Sequence, residues 1–302
     1  MDTRMTFLSL CRGLVLLLAV LDGVSLQGQQ VQLVSKKIET SYPYRAGYEL
    51  NLEGEKAEIR VEAWDKQEVG IQIEMISRHP DKTIAEKALS HIQYKIERVD
   101  NRIYIRNYLS ENPDPAQNAQ LHVKYFIRVP AQCPVYVKNI YGIATFQDLA
   151  SSLRIFSQFT RLGLDNIRGE LEVSTRFGDL EGRHLEGNLS IESRRSDLRL
   201  SHVSGNLDLD TYYGKIFLSE LEGLLDLNIT AEKSDIFLEK MDSRLFGYQI
   251  NATNAQLNLP SDLPFVFAEG SEGTRKATYK PAKEIYPSIS ITIRLGSLTM
   301  NR

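Results

Sequence analysis

The sequence predicts an all-β protein, namely a single-stranded parallel β-helix, or solenoid, of 18-residue rungs that follows an antiparallel β unit with one short helix. Two observations support this prediction. In the second half of the chain, apolar residues recur at every eighteenth position and alternate with polar residues within each interval. The first half shows separate runs in which every second residue is apolar, a pattern typical of half-buried strands.

Composition and charge indicate a folded protein without a nucleic-acid partner. The chain has 302 residues, of which 42% are hydrophobic and 25% are charged. Its formal net charge is −3, and acidic and basic residues are interspersed rather than gathered into runs. A nucleic-acid-binding surface needs a basic patch, so this class of partner is not expected.

Residues 1–28 are predicted to be a secretory signal peptide. Arg4 and Arg12 precede an uncharged, strongly apolar stretch at 13–21. That stretch is far shorter than the roughly 20 residues that a membrane-spanning helix needs. Small residues that suit cleavage are Gly23, Ser25 and Gly28. No later segment is long and apolar enough to span a membrane, so we expect an exported protein of the periplasm, outer-membrane surface or extracellular space.

Cysteine usage predicts a fold held by packing alone. Cys11 lies in the signal peptide, and Cys133 is the single cysteine of the mature chain. An exported protein with one cysteine has no internal disulfide. Lipid attachment at Cys11 is disfavoured, because Leu8-Ser9-Leu10-Cys11 has a bulky residue, Leu10, where a small one is needed, and the apolar stretch comes later.

Residues 29–132 are predicted to form an antiparallel β cap. The alternating runs are Leu50–Leu52, Ala57–Ala63, Val69–Met75, Ile92–Ile96, Ile103–Ile105 and Leu121–Val129. A capping box at Thr83-Ile84-Ala85-Glu86 predicts a helix to about Ser90. Asp100-Asn101 predicts a hairpin, and the two prolines within 112–115 predict a loop.

Residues 133–260 are predicted to hold the rungs of the β-helix. When the sequence is written in lines of 18 residues, five consecutive lines begin at Pro134, Ser152, Glu170, Asn188 and Asn206, and residues at the same place in each line form a column. The second column of this alignment is Val135, Leu153, Leu171, Leu189 and Leu207, and the eleventh is Ala144, Leu162, Leu180, Leu198 and Ile216. A glycine column at 169, 187, 205 and 223 marks a corner that needs a positive φ or a close backbone approach. In a sixth line, which starts at Leu224, Leu225 falls in the second column. The apolar pattern of the eleventh column then resumes at Ile236, two residues later than the period requires.

Stacking explains the period, because one line cannot bury its own apolar face and must share it with the lines above and below. Opposite charges one period apart, such as Arg168 and Glu186, fit this stacking, whereas Asp179 and Asp197 place like charges together. Open ends of a solenoid need covering. We expect residues 29–132 to cover one end and residues 261–302, with Val266, Ile289–Ile293 and Leu295, to form a C-terminal β cap at the other.

The repeated form Ser/Thr-x-aromatic-Gly-x-apolar, at Thr175–Leu180 and Thr211–Ile216, follows a β-rich stretch that ends at Ile127-Arg128-Val129-Pro130. In these features the chain resembles the exported, mostly bacterial "putative adhesin" β-helix proteins, a domain family of unknown function. The resemblance covers residues 38–300. It implies a right-handed β-helix and an envelope location, and it brings no catalytic residues.

The eighth column is the main candidate for ligand binding. Its members are Tyr141, Phe159, Phe177, Arg195 and Tyr213. In register they form a ladder of aromatic rings with one guanidinium, and aromatic platforms are suited to sugars. The favoured alternative is a ladder that packs inward at a corner and contributes only to stability.

The fifteenth column offers candidate metal ligands. Its members are Asp148, Asn166, His184, His202 and Glu220, among which His184, His202 and Glu220 carry zinc- or copper-binding groups. Polar turn residues in water are the favoured alternative, so no metal or other cofactor is predicted.

The sequence predicts a non-enzymatic envelope or surface protein whose partner is a glycan or another envelope protein. Hydrolase and nucleotide-binding motifs are absent from the sequence. Two alternatives stay open: a periplasmic accessory in envelope-stress signalling, and a β-helix enzyme that acts on polysaccharide. The oligomeric state does not follow from the sequence.

Overall fold

The computed structural model describes residues 31–110, 118–270 and 273–301. The predicted signal peptide and the loop at 112–115 lie outside these residues. The elements of the first half are β1 Gln32–Pro43, β2 Glu49–Trp64, β3 Glu68–His79, α1 Lys82–Leu89, β4 Ile92–Val99, β5 Arg102–Leu109 and β6 Gln120–Pro130. The described part of the chain is dominated by strands joined in one mixed sheet, so the all-β prediction is confirmed.

The remaining elements continue this sheet to the C-terminal end. The long strands are β7 Val135–Gln147, β8 Leu153–Arg176, β9 Leu180–Arg194, β10 Leu198–Ser219 and β11 Gly223–Glu239. After a short 3₁₀ helix at Ser243–Leu245 follow β12 Gly247–Thr253, β13 Gln256–Asn258, β14 Val266–Glu269, β15 Thr274–Tyr279, β16 Ser288–Arg294 and β17 Ser297–Met300.

The N-terminal unit is mixed rather than purely antiparallel, which corrects the sequence prediction. β1 with β3, β3 with β6, and β4 with β5 pair antiparallel. β2, however, runs parallel to β5, β6 and β7. Leu50 pairs with Val135 and Ile59 with Ala144. β2 thus adds another layer to the repeats, because its apolar spacing equals theirs although the partners lie far apart along the chain.

Local turn chemistry sets the ends of the short elements. α1 begins at Lys82 with Asp81 as its N-cap, whose carboxylate accepts hydrogen bonds from the amides of Thr83 (2.7 Å) and Ile84 (3.3 Å). The helix therefore starts two residues earlier than the capping box indicates, since that box would make Thr83 the N-cap. The hairpin predicted at Asp100-Asn101 is confirmed, with Asp100 in the left-handed region at a φ of 53°.

Segments of the second half pair in parallel with partners one period further along the chain. Leu171 pairs with Leu189, and Leu189 with Leu207, and all three side chains are buried. The tenth column, which contains Asp179 and Asp197, also fits this stacking. The Asp179 carboxylate accepts a hydrogen bond from the backbone amide of Asp197 at 3.0 Å, which explains how two like charges occupy one column.

The last layer departs from the predicted alignment. From Asn206 onward the partners in β11 lie two positions beyond the regular period, so Leu207 pairs with Leu227 and not with Leu225. Leu225 is 66% exposed. One extra residue enters before Gly223, since Ser204 pairs with Gly223, and the second is Leu225, at a bulge opposite Gly205 and Asn206, whereas the sequence placed both after Leu227.

The C-terminal strands are inserted into the sheet rather than laid on its end. β16 pairs in parallel with both β11 and β12 and separates them. Ile289–Ile293 bring three buried isoleucines to the core, as predicted. Val266 and Leu295 do not join them, since these side chains are 68% and 43% exposed. Among the described strands, β14 pairs only with β15 and forms the outer edge instead.

One apolar core runs through the described residues, from Leu50 to Met300. The sixth column lies inside it as a buried polar ladder at Asn139, Ser157, Thr175, Ser193 and Thr211. The Ser157 hydroxyl donates to the Thr175 hydroxyl at 2.9 Å, and the Thr175 hydroxyl donates to the Gly178 carbonyl at 3.2 Å. These hydrogen bonds give a structural role to the ladder.

We expect Cys133 to be inert toward thiol reagents in the folded protein. The side chain is 1% exposed, and burial raises its pKa to about 12, so the reactive thiolate is scarce at neutral pH. Incubation with a disulfide exchange reagent at pH 8 should leave the native protein unlabelled and label one thiol in denaturant. Fast labelling of the native chain would contradict this prediction.

Candidate functional site

A ridge of side chains follows one corner of the stacked layers. It contains the eighth column and its continuation into neighbouring layers: Lys56, Tyr141, Phe159, Phe177, Arg195, Tyr213, Lys233, Leu295 and Asn254. We call these nine residues the corner ridge. All nine are in the left-handed backbone region, with φ between 49° and 65°. This conformation turns the chain at each corner and directs the side chain outward.

The residue after each ridge position is small, because the corner brings successive backbone layers close together. After the five residues of the eighth column these are Gly142, Thr160, Gly178, Ser196 and Gly214. A Cβ atom at Gly178 would lie 2.0 Å from the Thr160 carbonyl oxygen. The sequence therefore pairs a large outward residue with a small inward one.

The aromatic rings of the ridge stack face to face. The ring centroids of Tyr141 and Phe159 are 4.8 Å apart, those of Phe159 and Phe177 are 4.9 Å apart, and both pairs are within 7° of parallel. The three side chains remain 44–49% exposed. The alternative in which this column packs inward is therefore wrong. Neighbouring rings cover the faces of Phe159, so mainly ring edges meet the solvent.

Three cations and no carboxylate belong to the corner ridge. The Arg195 guanidinium lies 5.4 Å from the Phe177 ring centroid and 5.9 Å from that of Tyr213. Lys233 Nζ lies 4.9 Å from the Tyr213 ring centroid and donates a 2.9 Å hydrogen bond to its phenol oxygen. This hydrogen bond lowers the pKa of Tyr213. Lys56 continues the column beyond Tyr141.

Carboxylates beside the corner ridge form hydrogen bonds or ion pairs with other groups of the protein. Asp197 accepts from the Lys215 amide at 2.9 Å, and Asp235 accepts from the Ser297 hydroxyl at 2.6 Å. Glu232 forms an ion pair with Arg294 at 2.7 Å. The ridge cations are consequently left to face the solvent with positive ring edges between them.

The fifteenth column forms a second left-handed corner, with φ between 53° and 60°. The imidazole rings of His184 and His202 are 4.8 Å apart between centroids. His202 Nδ1 lies 2.9 Å from a Glu220 carboxylate oxygen, and His184 Nδ1 lies 3.4 Å from Asp165. Asn166 donates to the Asp148 carboxylate at 2.6 Å. The groups are thus arranged as a ladder of neighbouring pairs.

A ladder does not converge on one point, which a metal site requires. Within the described residues, no group of three or more His, Cys, Asp or Glu side chains is placed to hold a metal ion. His184, His202 and Glu220 bind their neighbours instead. In the same part of the chain, no helix has the length and apolar character to cross a bilayer.

A shallow trough of about 740 Å³ runs across the strands on an outer sheet face. One wall is formed by Arg60, Thr145, Gly163, Glu181, Arg199 and Phe217. The other is formed by Gln147, Asp165, Arg183, Ser201, Ser219 and Glu239. We call this site the trough. Sequence analysis missed it, although a signal was present: Gly163 interrupts the outward twelfth column, and Ser201 and Ser219 are small members of the fourteenth.

Comparison with known proteins gives one partial family match. Residues 49–151, about a third of the chain, match the family model described as ToastRack found in some PspC. No curated protein matches the chain.

Several solved bacterial structures are similar at low identity. A "putative adhesin" from Bacteroides fragilis is 11% identical, covers 88% of this chain and 97% of its own, and has a TM-score of 0.39. A "putative adhesin" from Parabacteroides merdae is 10% identical, with coverage of 89% and 96% and a TM-score of 0.41. A "putative cell adhesion protein" from Clostridium sporogenes is 13% identical, with coverage of 88% and 99% and a TM-score of 0.26. The resemblance to proteins of that description, noted from the sequence, is confirmed.

Proposed function

We propose that this chain is a non-enzymatic exported surface protein that binds acidic polysaccharide along the corner ridge. The observation that carries the proposal is the continuous outward row of stacked rings and cations. Export is inferred from the predicted signal peptide at 1–28. The scaffold would be a single-stranded parallel β-helix of 18-residue rungs over 133–260, with an N-terminal cap at 29–132, and residues 261–302 would supply strands inserted into its last layers. The parallel pairing of partners one period apart supports this architecture.

The stacking geometry selects acidic over neutral sugars. A neutral sugar stacks its C–H groups on an aromatic face, but the faces of Phe159 are covered by Tyr141 and Phe177. Ring edges carry partial positive charge, because the quadrupole of an aromatic ring is negative on its faces. Carboxylate or sulfate groups of a polysaccharide would meet these edges and the side chains of Arg195 and Lys233.

The layer spacing suits a repeating polymer. Neighbouring ridge residues are about one strand spacing apart, or ~4.8 Å. A polysaccharide repeats its charged group along its length, so several groups can contact successive layers at once. Such multivalent contact raises the overall affinity although each exposed charge pair contributes little, about 0–1 kcal/mol.

Removal of two ridge cations tests the proposal. We expect the double variant Arg195→Gln and Lys233→Gln to bind polygalacturonate and dextran sulfate about tenfold more weakly, since a loss of about 1.4 kcal/mol is tenfold in affinity. Affinity electrophoresis in gels that contain each polymer measures the effect, and neutral dextran is the negative probe. Added salt should weaken binding by the parent protein.

A matched variant controls for net charge. Lys82→Gln with Arg168→Gln removes two exposed cations that already pair with Glu86 and Glu186, away from the ridge. It should retain parental binding. Equal loss in both double variants would show a general charge effect, and failure of the parent to bind either acidic polymer would refute the function.

A further inference from the structure

We propose that the trough is a second binding site, which takes a neutral oligosaccharide that lies along it and across the strands. It lies on a sheet face rather than at the corner, and its walls contain none of the ridge residues. The inference therefore goes beyond the proposed function and does not depend on it.

The dimensions of the trough fit an extended chain. Its wall residues come from β2, β7, β8, β9, β10 and β11, and β10 contributes in two successive layers. Seven layers give six strand spacings of ~4.8 Å, or roughly 29 Å. The volume of about 740 Å³ is within the usual size of a small-molecule site, about 300–1,000 Å³. Gly163, Ser201 and Ser219 leave the space open.

The charges of the trough balance. The two walls together hold Arg60, Arg183 and Arg199 and also Asp165, Glu181 and Glu239, so three cations are matched by three carboxylates. A ligand with a net charge of either sign would meet repulsion along part of its length. This balance favours an uncharged ligand, whereas the corner ridge favours an anion.

Several polar groups in the trough are held in place. Arg183 forms a 2.8 Å ion pair with Asp165, and this contact lowers the pKa of the carboxyl group. The Arg199 guanidinium lies 4.2 Å from the Phe217 ring centroid, and Phe217 stacks on Phe237 at 4.8 Å. Fixed donors and acceptors in alternation suit sugar hydroxyls, because each hydroxyl both donates and accepts a hydrogen bond.

The backbone under the trough disfavours an extended peptide as the ligand. A peptide strand binds a sheet by pairing with free groups at an edge. The floor of the trough is the middle of the sheet, where β8 and β9 already pair through Leu164 and Gly182. A peptide there would leave its own backbone groups without partners.

Titration calorimetry of the mature chain with maltohexaose, cellohexaose and chitohexaose tests the site. We expect at least one of these neutral hexasaccharides to bind with millimolar affinity or tighter. Ser201→Tyr, which places a ring in the trough, should weaken that binding at least tenfold. Ser190→Tyr makes the same change on the other outer face and should bind as the parent does.

The two sites are separated by crossing the variants. Arg195→Gln with Lys233→Gln should leave hexasaccharide binding unchanged, and Ser201→Tyr should leave acidic polymer binding unchanged. Equal melting temperatures show that the variants are folded. The trough proposal is overturned when no hexasaccharide binds the parent, or when Ser201→Tyr binds as tightly as the parent does. Failure of acidic polymer binding alone would refute only the ridge.

Discussion

Replacement of Gly187 with alanine is expected to lower the free energy of unfolding by about 4 kcal/mol, a large part of the stability of a typical domain. Gly187 has a φ of 131°, which side chains other than that of glycine rarely adopt. A Cβ atom there would lie 2.1 Å from the Gly169 carbonyl oxygen in the layer before it. Backbone strain of about 1–3 kcal/mol adds to an overlap of similar cost.

Denaturant unfolding followed by circular dichroism measures this effect, and Gly163→Ala is its matched control. A Cβ at Gly163 would lie 3.3 Å from the Thr145 methyl group, a side-chain atom on the outer face that can shift. The control should stay within about 1 kcal/mol of the parent. An unfolding midpoint for Gly187→Ala equal to the parental one would show that the layers are not in close contact at this corner.

The period of the repeats could be read from the sequence because each column holds one kind of residue. Columns such as Leu171, Leu189 and Leu207 are apolar for a single physical reason, the shared core. β2 has the same internal spacing, since Leu50 and Ile59 are as far apart as their partners in β7. β2 was not recognised from the sequence as a layer of the repeats, because β3 to β6 lie between β2 and β7 along the chain. Periodicity detects only layers that follow one another at a constant interval.

The C-terminal insertion could not be predicted for a similar reason. The alternation of Ile289, Ile291 and Ile293 identifies a buried strand but not its partners. The choice between an end position and one between β11 and β12 depends on contacts with Ile229 and Ile250, far away along the chain.

Five members of the corner ridge, those of the eighth column, were identified by residue type, but their outward orientation and the continuation of the ridge to Lys56 and Lys233 were not. Aromatic residues are as suited to a core as to a surface. The deciding feature is the backbone: a left-handed residue followed by a small one turns the large side chain outward, as at Phe177-Gly178. The trough gave a weaker signal, since it arises from the absence of side chains at positions such as Gly163.

A chain that ends at Pro287 is expected to lose the whole C-terminal end of the sheet. Without β16 and β17, β11 and β12 no longer share a strand, and each would expose a row of backbone groups. Three isoleucines would also leave the core. β12, β14 and β15 would then pair only with one another, which is marginal for so few short strands, and β13 would lose its pairing with β17.

Hydrogen exchange measured by mass spectrometry locates the effect of this truncation. Amides of β12 and β15 should exchange nearly as fast as in an unfolded chain, while those of β8 and β9 keep their protection. The single substitution Ile291→Ala should act in the same direction at a cost of about 3 kcal/mol, because this buried side chain lies between Ile229 and Ile250. Thr292→Ala, on the same strand with its side chain toward solvent, is the control. Full protection of β12 in the truncated chain would mean that β11 and β12 can close on each other, and that the inserted strand is not needed to join them.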